Sequence, residues 1–446
     1  MSFTRTLRAV GGAVVAGALL FGTAPVASAD QMRNDQWPLQ KFDAGSIWNI
    51  STGKGVTVAV LDSPVDGSHA DLTGNVLPGK NLITGSGSAD HGTGDEADHG
   101  TAMASIIAGH GHGAGGADGV KGLAPDAKIL PVAVPDGSTG PFGFGPALRY
   151  AVDQGAKVVN MSFGNGESSV SPEEQQAVDY ARKHDVLLVA AAGNEGVSTP
   201  AIPAAVPGVL AVGAVDEHGD IWKKSNFGPH VKLTAPGVNI RSAGSVVDVN
   251  GKYRSANGTS DATAYVSGAA ALLRSKFPDL TAGQIANRLI KTASLPADQQ
   301  GIALPDQHYG YGSINPLSAL TKDVPAGSKD GPFPALSGGS SGPSSDPSSA
   351  AGDTGGGVKI ASHKGLSAPF LILVGVVVLV LLVIVLVVVM VAKKNRRNGP
   401  PPGGPGGFGG PGGPGGYMPN QQMPYQQQPG APGSYPQGPP TQPPGQ

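Results

Sequence analysis

Cysteine is absent from all 446 residues. That excludes a disulfide framework, a thiolate metal site and a cysteine nucleophile. Charge is scarce: Asp, Glu, Lys and Arg make up 14% of the chain and leave a formal net charge of −2. So small an imbalance argues against a nucleic-acid binder that relies on a basic field. What is plentiful is Gly, 70 residues, and Pro, 40. That share alone would suggest low complexity, but it is unevenly spread, with 15 of each in residues 398–446. The remainder reads as a Gly-rich globular sequence, long enough for one large domain with appendages.

The two ends set the compartment. Residues 1–29 read as a secretory signal peptide: Arg5 and Arg8 give the positive start, an apolar run follows to Phe21, and Ala27-Ser28-Ala29 is a small-residue cleavage pattern. The alternative is an uncleaved anchor helix, which Gly11, Gly12 and Gly17 weaken. Residues 370–392 are a stretch of 23 without a charge, nearly all Val, Leu and Ile. At about 1.5 Å per residue this predicts a transmembrane helix of roughly 35 Å. Lys393, Lys394, Arg396 and Arg397 follow at once, which puts that end in the cytoplasm and the intervening domain outside. Residues 323–369, rich in Gly, Ser and Pro, read as a flexible linker. After Arg397 the Pro/Gly/Gln-rich tail carries no charge. Residues 393–446 are therefore expected to be cytoplasmic and disordered, either solvated or awaiting a partner.

Residues 30–322 alternate short β-branched runs with helical stretches. Val56-Thr57-Val58-Ala59-Val60-Leu61, Lys157-Val158-Val159-Asn160-Met161 and Val186-Leu187-Leu188-Val189-Ala190 are strands by length and flanks. Helices are expected over 102–108, 146–154, 172–184 and 262–276. The alternation predicts an α/β fold, a mostly parallel sheet covered on both faces. In such sheets functional residues gather at the carboxyl ends of strands.

Four residues stand at those places, each with an ordinary reading. Asp62 directly follows the first strand and would serve as a helix cap, a metal ligand or a catalytic carboxylate. His99 stands just ahead of a small-residue apolar helix. Asp-His-Gly-Thr occurs twice, at 90–93 and 98–101. Only the second copy runs into an apolar helix, while Gly94-Asp95-Glu96 after the first reads as an exposed loop. The chemistry is therefore assigned to His99 over His91. Ser260, after Gly258 and at the start of a small-residue helix, is either an N-cap or a nucleophile at a helix's positive end. Asn194, after the third strand, is a turn residue or an oxyanion donor. Taken together the four supply what serine acyl transfer needs: nucleophile, base, orienting carboxylate and donor.

At this point the chain resembles a subtilisin-type serine protease of the Asp–His–Ser order. Val58-Ala59-Val60-Leu61-Asp62-Ser63, His99-Gly100-Thr101 and Gly258-Thr259-Ser260-Asp261-Ala262 are similar to the three catalytic motifs. Asn160-Met161-Ser162-Phe163-Gly164 resembles the segment lining the substrate cleft, and Gly310-Tyr311-Gly312-Ser313-Ile314-Asn315 the closing motif. The resemblance spans about residues 37–320. It implies a three-layer subtilisin-like fold and a serine endopeptidase. Ser260 would be the nucleophile, His99 the base and Asp62 its orienting carboxylate. Asn194 with the Ser260 N–H would form the oxyanion hole, and Ser162, Phe163 and Gly164 would bind substrate. Pro64 stands where the family usually has Gly, so the turn after Asp62 is expected to differ.

Asp62 lies 33 residues after the expected cleavage site, too few for a folded inhibitory pro-domain. The resulting order of parts resembles the mycosins, membrane-anchored subtilisin-like proteases of type VII secretion systems. This implies a partner, the secretion membrane complex, and protein or peptide substrates among its exports, with the domain extracellular and no nucleic acid involved. Mycosins commonly carry disulfides, which this chain lacks. No cofactor is expected. Subtilisins often bind calcium, but Asp66, Asp71, Asp90, Asp95, Glu96 and Asp98 show no ligand spacing that assigns a metal. The alternative to an active enzyme is a structural scaffold of the secretion complex with dispensable proteolysis. A third reading is a general surface protease that clears misfolded exports.

Overall fold

A computed structural model describes residues 31–135, 143–164, 170–248 and 251–336. The expected signal peptide (1–29), transmembrane helix (370–392) and cytoplasmic tail (393–446) lie outside these residues. Among the described residues no helix is long and apolar enough to cross a membrane.

Seven strands form one sheet, in the order β2-β5-β1-β6-β7-β8-β9. They are β1 (Thr57–Asp62), β2 (Lys80–Asn81), β5 (Lys128–Ala133), β6 (Val158–Met161), β7 (Leu187–Ala191), β8 (Leu210–Val215) and β9 (Val231–Pro236). All the pairings are parallel. Two small antiparallel pairs stand apart: β3 (His110–His112) with β4 (Asp118–Lys121), and β10 (Ile240–Asp248) with β11 (Gly251–Ala256). The helices are α1 (Trp37–Lys41), α2 (Ala44–Trp48), α3 (Asp95–Ala108), α4 (Gly145–Asp153), α5 (Pro172–Lys183), α6 (Thr259–Lys276), α7 (Ala282–Thr292) and α8 (Pro316–Thr321).

The three layers follow from the period of two in a strand. Val58 and Val60 of β1 join Val158, Leu187 and Val189 in a core shared with α3, α6 and α7. Ala59 and Leu61 turn the other way, with Val159, Leu188 and Ala190, onto α4 and α5. Both faces are thus buried, which is why these strands read as continuous apolar runs. Going outward from β1, the chain builds β2 and β5 on one side and β6 to β9 on the other. The strand order reverses between β1 and β6, so a crevice opens there beyond the strands' carboxyl ends.

Several expectations are adjusted. The Gly94-Asp95-Glu96 segment is no loop: Gly94 is the N-cap of α3, and Asp95 and Glu96 form its first turn. Carboxylates there favour the helix's positive end, a signal the polar composition hides. Strand β5 is masked in the sequence because Pro131 sits inside it, yet Pro131 pairs with Val60 of β1. The small-residue strand β8 and strand β9 are likewise additions to the three expected strands. Residues 324–336 remain attached to the domain, inside the span expected to be linker. The Arg288 guanidinium donates to the carbonyls of Ala319, Lys322 and Val324. Arg182 donates to Pro334 and lies over the Phe333 ring. At the other end, Gln36 exchanges two hydrogen bonds with the backbone of Lys121, and Trp37 donates to the Val238 carbonyl.

Candidate active site

Asp62 is the last residue of β1 and is buried. Its Oδ1 accepts from the Ser63 N–H at 2.8 Å and lies 2.7 Å from His99 Nδ1. The contact needs α3 to approach the β1 turn closely. Gly100 permits it, since a Cβ there would lie 2.2 Å from the Ser63 carbonyl oxygen. The Gly100 N–H donates to Ser63 Oγ at 2.8 Å, closing the same junction. Pro64 is accommodated in this turn and faces the crevice.

His99 is the fifth residue of α3, one turn inside the helix, and its side chain is 39% exposed. Desolvation is the largest influence on it and disfavours the cation. The Asp62 carboxylate, through charge and hydrogen bond, together with Asp261, outweighs that and holds the pKa above the ordinary imidazole value. The neighbouring Asp98 does not reach the ring's partner. It takes Arg254 of β11 at 2.8 Å and the Ser245 N–H at 3.0 Å, tying the hairpin to α3.

Ser260 lies in the first turn of α6, whose N-cap is Gly258. It is therefore not the cap residue, and its backbone N–H belongs to the helix's free amino end. Its hydroxyl donates to the Ser162 carbonyl at 3.1 Å. A buried polar chain fixes the two segments together: Ser162 Oγ donates to the Ser260 carbonyl, Asn160 Nδ2 to Ser162 Oγ, and Ser267 Oγ to Asn160 Oδ1. Asn160, Ser267 and Thr259 build the site without having been singled out by sequence reasoning. Only their place inside the motifs could have flagged them.

Asn194 follows β7 in a turn that needs Gly193 at φ 112°. A Cβ on Gly193 would sit 2.2 Å from Asn226 Nδ2. The Asn194 Oδ1 accepts from the Thr259 N–H at 2.9 Å and from Thr259 Oγ1 at 2.8 Å. With the oxygen so engaged, the amide's two donors are left for the crevice. Asn194, Ser260, Ser162, Phe163 and Gly164 line one cavity of about 330 Å³. Asp62, His99, Pro64, Ser162 and Phe163 line an adjoining one of about 690 Å³. No residue of 31–44 lines either.

The first Asp-His-Gly-Thr copy lies elsewhere. The His91 side chain is 82% exposed, 3.0 Å from Asp90, in a separate cavity of about 300 Å³. The acidic residues weighed for calcium are largely engaged by protein donors. Asp66 takes Lys252 at 2.6 Å, Asp71 takes His112 at 2.6 Å and the Val120 N–H, and Asp98 takes Arg254. Among the described residues no group of three or more His, Asp or Glu is arranged to hold a metal ion.

Comparison with known proteins identifies the family of the domain. Residues 53–312 match the profile of the peptidase S8 subtilase family. The chain is 37% identical over 263 residues to subtilisin BL of Lederbergia lenta, covering 58% of this chain and 91% of that one. It is 35% identical over 277 residues to a thermophilic serine proteinase of Bacillus sp. strain AK1, covering 61% of this chain and 64% of that protein's length. Among solved structures it is similar to MycP1 from Mycobacterium smegmatis, with a TM-score of 0.56 and 30% identity, covering 67% of this chain and 87% of that one. The MycP3 protease of the ESX-3 type VII secretion system gives 0.54 and 30%, covering 64% and 88%.

Proposed function

The chain belongs to the subtilase family and is a subtilisin-like serine endopeptidase; from that premise we propose that Asp62, His99 and Ser260 form its catalytic triad. The observation that carries this is the 2.7 Å contact of His99 Nδ1 with the buried Asp62, in a cavity that shares Ser162 and Phe163 with the one Ser260 lines. On substrate binding the Ser260 hydroxyl turns from the Ser162 carbonyl toward His99 Nε2. Its Oγ then attacks the scissile carbonyl while its proton passes to that nitrogen. Asp62 stabilises the imidazolium, which next protonates the leaving amine. Asn194 Nδ2 and the Ser260 N–H stabilise the oxyanion. Water hydrolyses the acyl-enzyme by the reverse proton path, so one histidine serves as base, then acid, in each half. Ser162, Phe163 and Gly164 flank the acyl side of the substrate.

Fluorophosphonate labelling of the purified domain tests the triad. Ser260→Ala and His99→Ala are expected to abolish labelling and His91→Ala to retain it. A folded wild-type domain that does not label overturns the reading.

The enzyme is further proposed to be anchored by residues 370–392, with residues 30–322 outside the cell and 393–446 in the cytoplasm. Support comes from the uncharged stretch and the four basic residues after it. Similarity to MycP1 and MycP3 supports a place beside a type VII secretion complex. The competing reading, a scaffold with dispensable hydrolysis, makes a different prediction for export. If deletion of the protein stops export and Ser260→Ala does not, the scaffold role holds; if both stop it, proteolysis is required.

A further inference from the structure

One charged side chain at the centre of the site has no part in the triad chemistry. Asp261 follows Ser260 in the first turn of α6 and is 2% exposed. Its Oδ1 is buried without a hydrogen-bond partner. Its Oδ2 lies against the Gly258 backbone, where a Cβ would come within 3.1 Å of it, so glycine at 258 leaves it room. The hydrogen bond that the carboxylate takes from its own backbone leaves Oδ1 without a donor. The charged groups that act on it are His99 on α3, Arg254 on β11 and Asp62 on β1, and Tyr265 stands one turn further along α6.

We propose that Asp261 is a positioning residue for the proton on His99: a second buried carboxylate that, with Asp62, holds the imidazolium and so sets the pH at which the base becomes free. The assignment rests on reading His99 as the general base. Physically, an ionised carboxylate favours the charged form of a neighbouring imidazole. Asp62 does this through the hydrogen bond to Nδ1, and Asp261 adds to it through space. Burial pushes the Asp261 carboxyl up to about 6, against the pull of His99 and Arg254. Two titrating groups that interact share their protons, and the steps belong to the pair. The consequence is a peptidase that falls silent in mildly acid surroundings sooner than a single Asp–His pair would.

The sign fixes the test. Asp261→Asn removes a negative charge that favours the imidazolium, so His99 gives up its proton at lower pH. The variant also removes a buried charge while keeping the side chain's shape, which favours folding at neutral pH. His99 ring resonances followed by NMR over a pH series, in a Ser260→Ala background with and without Asp261→Asn, give the readout independently of turnover. The midpoint is expected to fall by roughly half a unit or more, and the rising limb of kcat/KM in the Ser260-bearing pair to move with it. A midpoint that stays in place overturns the assignment. If the Asn variant does not fold, the Ser260→Ala chain alone decides: two inflections at the His99 ring support the coupling, and one inflection overturns it. Fluorophosphonate labelling of wild type separates the two readings. Labelling with an unmoved midpoint sinks the Asp261 role alone; absent labelling sinks the triad, while the midpoint still reports on the carboxylate.

Discussion

The same four residues, Asp-His-Gly-Thr, occur at 90–93 and 98–101 and meet different fates. In the second copy His99 rests on a buried carboxylate from a neighbouring strand. In the first, His91 stands in solvent, 82% exposed, beside its own neighbour Asp90. Both glycines press on the same turn after β1. A Cβ at Gly92 would come 2.7 Å from the Pro64 Cβ, and one at Gly100 would come 2.2 Å from the Ser63 carbonyl. The four letters are the same in both copies. What separates them is the distant partner: only the histidine of the second copy reaches the carboxylate that ends β1. Chemistry here is a property of the place where two elements cross.

Exchanging alanine into each copy is the sharpest way to break that contrast. His99→Ala, like Ser260→Ala, should lower kcat by roughly a millionfold, the scale known from subtilisin itself. Next in size is the carboxylate. Asp62→Asn should reduce kcat by about ten-thousandfold and move the rising limb of the pH–rate profile downward. The free base is the active form, and His99 holds its proton above the ordinary imidazole value. The same shift bears on stability. Its stabilising share is complete below about 6.5, the unfolded value, and is lost as pH rises through the higher folded value. Melting of a Ser260→Ala domain followed across that window checks it. Asn194→Ala should cost about a hundredfold or more in kcat with KM kept, again on subtilisin's scale. Gly100→Ala, where a methyl meets backbone, should destabilise by about 1–3 kcal/mol, read as a lowered denaturant midpoint. The smallest effect is reserved for the first copy: His91→Ala should change stability by less than about 0.5 kcal/mol and leave labelling intact.

Strand β1 and the residue at its end are legible because an apolar run of strand length, closed by a lone carboxylate, fits a buried strand and little else. Strands β6 and β7 are legible within a residue for the same reason. Strand β5 is not, because Pro131 argues against a strand interior until its pairing is seen. The start of α3 is hidden because Asp95, Glu96 and Asp98 suggest a loop on composition while favouring the helix by charge. The site residues named from sequence line two adjoining cavities at the strand-order reversal. The residues that orient them are harder to find. Thr259 aims the Asn194 amide, and Asn160 with Ser267 braces Ser162, through contacts 65 to 107 positions apart in sequence. No periodicity in the chain encodes such distances. Asp261 is legible as a letter in a motif but not as a buried charge, since burial is decided by the hairpin and helix that close over it.

The first described residues hold on to surfaces that line neither cavity. Gln36 grips Lys121, Trp37 caps the Val238 carbonyl and Arg33 donates to Gly116, Asp118 and Gly119. Trimming this segment would therefore loosen the body without unveiling the crevice. The described N-terminal residues thus act as a strap on the body of the domain, away from the linings of both cavities.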